Sequence, residues 1–101
     1  MSRAAYAISE DGKTALMFKS RALRDWFIAE LPPKRENSFG KDFMVGTCDQ
    51  YRKVLRAEAR CMNDRGTRAD REYLAFDMSV GEYWDCELDE MWTRAIEMGL
   101  M

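Results

Sequence analysis

A small α+β domain is what this 101-residue sequence predicts, and three observations carry the prediction. An Asp-Gly pair between two alternating segments near the N-terminus marks a β-hairpin. A capping box at Thr47 and Gln50 opens a long stretch with apolar residues on one helical face and arginines on the other. Alternation returns over Tyr73–Met78, followed by a last amphipathic helix. The expected architecture is an N-terminal β-hairpin plus a third strand, covered by three helices, in one compact domain spanning residues 1–101.

In chain order, Arg3 to Ser9 alternates with Tyr6 and Ile8 on one side, and Thr14 to Lys19 alternates with Leu16 and Phe18 on one side. Glu10-Asp11-Gly12-Lys13 joins them. Ser20 is a natural N-cap for a short helix over Arg21–Leu31, whose buried stripe is Leu23, Trp26, Phe27 and Leu31. Pro32 and Pro33 end it, because neither can donate a backbone hydrogen bond. Lys34 to Asp42 is a polar loop carrying one aromatic, Phe39. Phe43-Met44-Val45 fits either a short strand or a plug for the core.

The central helix starts at the Thr47/Gln50 box. Cys48, Tyr51, Val54, Leu55, Ala59, Cys61 and Met62 line one side, Arg52, Lys53, Arg56 and Arg60 the other, and Gly66 stands at the end. Glu58 points into the apolar stripe, so it should either find a hydrogen-bond donor, from Tyr51, Arg21 or a basic residue of the 34–41 loop, or sit where the stripe meets solvent. Over Tyr73–Met78 a strand is preferred to a helix, since Leu74, Phe76 and Met78 alternate against Tyr73, Ala75 and Asp77. Ser79 and Glu82 form a second capping-box pattern. From there Val80, Trp84, Leu88, Met91, Trp92, Ala95 and Ile96 share a face up to Gly99.

Composition narrows the function classes. Apolar residues make up 47% and aromatics 12%, as expected of a folded chain. No run approaches the roughly 20 apolar residues of a membrane span, and the N-terminus lacks a signal-peptide core, so a soluble cytoplasmic protein is expected. Three cysteines without Cys-x-x-Cys spacing, and no histidine, give no zinc site and read as reduced thiols. No metal or cofactor is expected.

Catalytic equipment is missing from the sequence. Without histidine, the commonest general acid/base and the usual partner of a nucleophile are absent. Neither a Gly-x-Gly-x-x-Gly nor a P-loop pattern occurs. Carboxylate pairs such as Asp85/Glu87 and Asp89/Glu90 read as a solvated helix face, because hard cations gather oxygen ligands on shaped loops. No catalytic residue is assigned, and the chain reads as a non-enzyme.

Charge is the informative property. Residues 1–71 hold 15 basic and 10 acidic side chains, residues 72–101 only 1 basic and 8 acidic. Arg52, Arg56 and Arg60 recur every fourth residue with Lys53 beside them, and Arg65, Arg68 and Arg71 extend the run. Such a row suits carboxylates on a protein or phosphates of nucleic acid. It also suits solvent, or the acidic C-terminal helix of the same chain. The net charge of −2 argues against a dedicated nucleic-acid binder. Phe39, in its polar loop, and Tyr83, off the buried stripe of the last helix, are candidate aromatic anchors; Ile28 is similarly off-stripe in the first helix. The partner-binding candidates are therefore Arg52, Lys53, Arg56, Arg60, Arg65, Phe39 and Tyr83.

In size, mixed charge and lack of catalytic residues, the chain resembles small accessory or inhibitor proteins of phages and mobile elements, such as anti-defence proteins. The resemblance is one of style and rests on no motif. It implies an interaction protein whose partner is another protein or a nucleoprotein complex. The alternative is a nucleic-acid binder using the Arg52–Arg71 run.

Overall fold

The computed structural model describes residues 4–62, 72–79 and 86–101. Their order is β1 (Ala5–Ser9), β2 (Thr14–Phe18), α1 (Arg21–Glu30), β3 (Phe43–Gly46), α2 (Cys48–Met62), β4 (Leu74–Asp77) and α3 (Cys86–Glu97).

The Asp-Gly signal does fold β1 back on β2. Gly12 adopts φ 72°, a left-handed conformation open to glycine, and its N–H donates to the Ser9 carbonyl at 2.9 Å. Side chains then lock the turn. The Ser9 hydroxyl donates to Asp11 at 2.5 Å and accepts from the Thr14 N–H at 2.9 Å. Lys41 reaches across to Asp11 at 3.0 Å and to the Thr14 hydroxyl at 2.9 Å. Partial burial alone would raise the Asp11 pKa. The hydrogen bonds from Ser9, the Lys13 N–H and Lys41 outweigh it and hold the carboxyl at about 2,.

The sheet is mixed, in the order β3-β1-β2-β4. β1 pairs antiparallel with both β2 and β3, while β2 pairs parallel with β4. Both open sequence choices thus resolve as strands: Phe43–Gly46 and Leu74–Asp77. The fourth strand exceeds the expected three.

Alternation sends neighbouring residues to opposite faces. Ala7, Leu16 and Phe18 join Leu23 and Phe27 of α1 and Leu88, Met91, Trp92 and Ala95 of α3 in the larger core. Ile8 and Ala15, their neighbours in sequence, meet Val54 of α2 on the other side with Tyr51, Tyr73 and Ala75 around them. Two helices therefore cover one face and α2 alone covers the other.

The caps form as their residues require. Ser20 accepts from the Leu23 N–H at 3.1 Å; Gln50 accepts from the Thr47 N–H at 2.8 Å and the Thr47 hydroxyl from the Gln50 N–H at 3.2 Å. Gly46 is needed where β3 meets this cap: a Cβ there would stand 3.1 Å from the Ile8 backbone nitrogen and 3.2 Å from Gln50 Oε1.

Three expected burials shift. Leu55 and Ala59 of α2 are exposed, and Ala57 is buried in their place. Val54 and Ala57, three positions apart, share the inner side of the helix, and at about 3.6 residues per turn Leu55 and Ala59 fall on the other side,. Ile96 is 61% exposed because the chain reverses after it. Gly99 (φ 75°) donates to the Ile96 carbonyl and Leu100 to the Ala95 carbonyl, each at 3.0 Å. This is a Schellman arrangement, and it lays Leu100 and Met101 on the core. Ile28, expected off the stripe, is half-buried against that core. Ser79 bonds to Asp77 through its N–H at 2.9 Å and its hydroxyl; Glu82, its expected capping partner, lies outside the described residues, as do Val80 and Trp84 of the expected apolar face.

Candidate functional site

Helical periodicity along α2 places its basic side chains on the surface turned away from the sheet. Arg52, Lys53, Arg56 and Arg60 are all exposed there. Among the described residues, none of Arg52, Lys53 and Arg56 has an ion-pair partner. Leu55, 45% exposed, and Ala59 form an apolar ridge beside the Arg52–Arg56 row, three positions along from each arginine. Asp49, also exposed, stands in the first turn of the same helix.

The acidic C-terminal helix does not neutralise this row. α3 packs on the Ala7–Leu16 face and α2 on the Ile8–Ala15 face, so the sheet separates them. Asp89, Glu90 and Glu97 are exposed on α3. Glu87 accepts from the Ser38 N–H at 3.1 Å, and Arg94 approaches Glu30 at 3.8 Å. The described carboxylates of α3 thus do not pair with Arg52, Lys53, Arg56 or Arg60; Arg65, Arg68 and Arg71 lie outside the described residues.

The N-terminal end of α2 holds a second group of polar side chains. Tyr6 and Tyr51 pack with tilted rings, centroids 5.4 Å apart. A hydrogen bond with the Cys48 side chain, followed by burial, raises the Tyr6 pKa, against a smaller opposing effect of Arg52. Burial and the nearby carboxylates of Asp77 and Glu58 raise that of Tyr51. These are phenols kept neutral, and Cys48 is a half-buried free thiol.

Glu58 is satisfied, but by a donor sequence reasoning did not reach. Its carboxylate accepts from the Ala75 N–H at 2.5 Å, in place of Tyr51, Arg21 or a loop lysine. The cause is the parallel ladder. Leu74 and Met78 donate toward β2, to the Lys13 and Met17 carbonyls at 2.9 and 2.8 Å. Ala75, between them, donates away from β2, where α2 supplies Glu58. A backbone donor on a strand leaves no mark in the sequence around Glu58.

Phe39 is drawn inward. Asn37, a buried polar residue, donates to the Pro32 and Lys41 carbonyls at 2.9 and 3.0 Å and accepts from the N–H groups of Phe39 and Gly40, both at 2.9 Å. The loop so shaped drops Phe39 among Phe43, Phe76 and Phe27, at centroid distances of 5.1, 5.9 and 6.5 Å. The ring is half-buried and holds the loop to the sheet. It stands apart from the arginine row, which α2 carries on the other face. Arg65 and Tyr83 lie outside the described residues.

A depression of about 280 Å³ at the ends of β2 and β4 is lined by Met17, Phe18, Lys19, Asp77 and Ser79. Its carboxylate already accepts from Ser79, and no catalytic pairing results. Among the described residues, no group of three or more His, Cys, Asp or Glu side chains could hold a metal ion, and no helix is long and apolar enough to cross a membrane. No protein-family model matches the chain, and neither does any curated protein or solved structure.

Proposed function

We propose that this protein is a non-enzymatic interaction protein that binds another protein, or the protein part of a nucleoprotein complex, through the outer surface of α2. The observation that carries the reading is the Arg52–Lys53–Arg56 group: exposed, without an ion-pair partner among the described residues, and on the sheet face opposite the acidic helix. Arginine forks match carboxylates in two-point hydrogen bonds, and arginine is enriched at interface hot spots. Leu55 and Ala59 add an apolar ridge that a protein surface can cover. An inhibitory or accessory role of the phage or mobile-element kind, in the cytoplasm, suits a small chain that offers a charged surface and no catalytic group.

Nucleic acid is the second reading, favoured by the same row of guanidinium groups. Asp49 at the head of the helix and the exposed Leu55 weigh against it, because phosphate neither tolerates the first nor uses the second.

Affinity capture from host lysate, with wild type and the Arg52→Glu/Arg56→Glu/Arg60→Glu variant side by side, tests the proposal. A protein retained by the wild type and lost by the variant supports it; equal retention refutes it. Gel shifts with duplex and single-stranded nucleic acid across a salt series test the alternative. Binding that weakens steeply with salt would transfer the function to that reading.

A further inference from the structure

The two edges of the sheet are finished differently. At the β4 edge, the Ala75 N–H is capped by Glu58 and the strand carries Asp77, both common ways of closing an edge against another strand. At the β3 edge neither device is present. Phe43-Met44-Val45-Gly46 holds no charge and no proline, and Met44 and Val45 are 53% and 59% exposed.

The hydrogen-bond phase of β3 is fixed by its pairing. The Glu10 N–H donates to the Asp42 carbonyl at 3.0 Å, and the register sets Ile8 against Met44 and Tyr6 against Gly46. In an antiparallel pair, alternate residues turn their backbone groups toward the partner. Asp42, Met44 and Gly46 therefore face β1, and Phe43 and Val45 turn their N–H and C=O groups to the open edge. Among the described residues nothing hydrogen-bonds them there.

We propose that the β3 edge docks a second copy of this chain, β3 against β3, antiparallel, about a two-fold axis through Met44. In this register Phe43 of each copy pairs with Val45 of the other, so the open N–H and C=O groups of both residues are satisfied within the pair. Met44 meets Met44 on the α2 side of the sheet, where flexible thioethers pack readily. Val45 covers Phe43 on the other side. Asp42 falls opposite Gly46, so no like charges oppose each other along the strands. Four residues per copy bury less than the roughly 1,000 Å² of a stable interface, so the dimer is reversible and forms at about 100 µM or above. Both α2 arginine rows then lie on the same face of one eight-stranded sheet, which presents the proposed binding surface twice.

The test exploits the self-pairing of Met44. Sedimentation velocity of the wild type from about 10 µM to about 1 mM shows a concentration-dependent rise toward the dimer mass. Met44→Lys and Met44→Glu each put like charge against like charge across the axis and weaken dimerisation by more than about tenfold. An equimolar mixture of the two variants restores association, because lysine then faces glutamate. Far-ultraviolet circular dichroism confirms that each variant keeps its fold, as expected for a half-exposed site. A wild type that stays monomeric throughout, a Met44→Lys variant that still dimerises, or a mixture that fails to associate would each overturn the proposal.

Discussion

Alternate residues of the same strands build two unlike faces. On one, Trp92, Phe27 and Phe18 meet at centroid distances of 5.1 to 6.3 Å, inside a core drawn from α1, α3 and the sheet. On the other, among the described residues, α2 meets Ile8 and Ala15 through Val54, with Tyr51, Tyr73 and Ala75 packed around them. Apolar burial stabilises roughly in proportion to area, so the aromatic face holds the fold and the α2 face adds less. A helix that covers its face of the sheet alone keeps its outer surface open. That surface is where Arg52, Lys53 and Arg56 stand, without an ion-pair partner among the described residues.

The largest expected effect falls on the aromatic face. Trp92→Ala, 2% exposed in the wild type, should destabilise the fold by roughly 3–5 kcal/mol in urea unfolding. Val54→Ala, at the matching centre of the α2 face, should cost roughly 1–3 kcal/mol, since only two methyl-sized groups are lost. Equal costs at the two sites would erase the contrast between the faces.

Glu58 sharpens the comparison, because on the α2 face a hydrogen bond supplements a small apolar contact. Glu58→Ala leaves the Ala75 N–H without its acceptor and should cost about 1–3 kcal/mol. Glu58→Gln retains an acceptor and should cost less than about 1 kcal/mol; the same loss in both variants would show that the bond contributes little.

Smaller still is a pH effect at the hairpin turn. Asp11 has a folded pKa of about 2 against an ordinary 3.8. A depressed carboxyl adds stability that is present above the unfolded value and lost as pH falls through the folded one. Wild type should therefore lose stability between about pH 4 and pH 2 more steeply than Asp11→Asn. Parallel acid profiles for the two proteins would mean that the Ser9–Asp11–Lys41 contacts are not formed in solution.

Local signals in the sequence were legible wherever a side chain acts on its own neighbours. The Gly12 turn, the Ser20 and Thr47/Gln50 caps, the Gly99 stop and the strand at Leu74–Asp77 each follow from residues within a few positions. What escaped was decided across the chain. The Glu58 acceptor role depends on which N–H groups the parallel β2–β4 ladder leaves outward. Phe39 is drawn half-way into the core because Asn37 folds its own loop, and Leu55 is exposed because Val54 and Ala57 take the inner side of α2. The arginine row was visible as periodicity. That the acidic helix packs on the opposite face was not, since the side on which a helix packs is set by the crossover and by no local pattern.

The separation of fold from recognition is tested most directly by urea unfolding of the Arg52→Glu/Arg56→Glu/Arg60→Glu variant. Its unfolding free energy should stay within about 1 kcal/mol of wild type, the residue of lost helix-terminus and surface charge effects. A fall of more than about 2 kcal/mol would contradict the account, because the arginine surface of α2 would then be part of what holds the protein together.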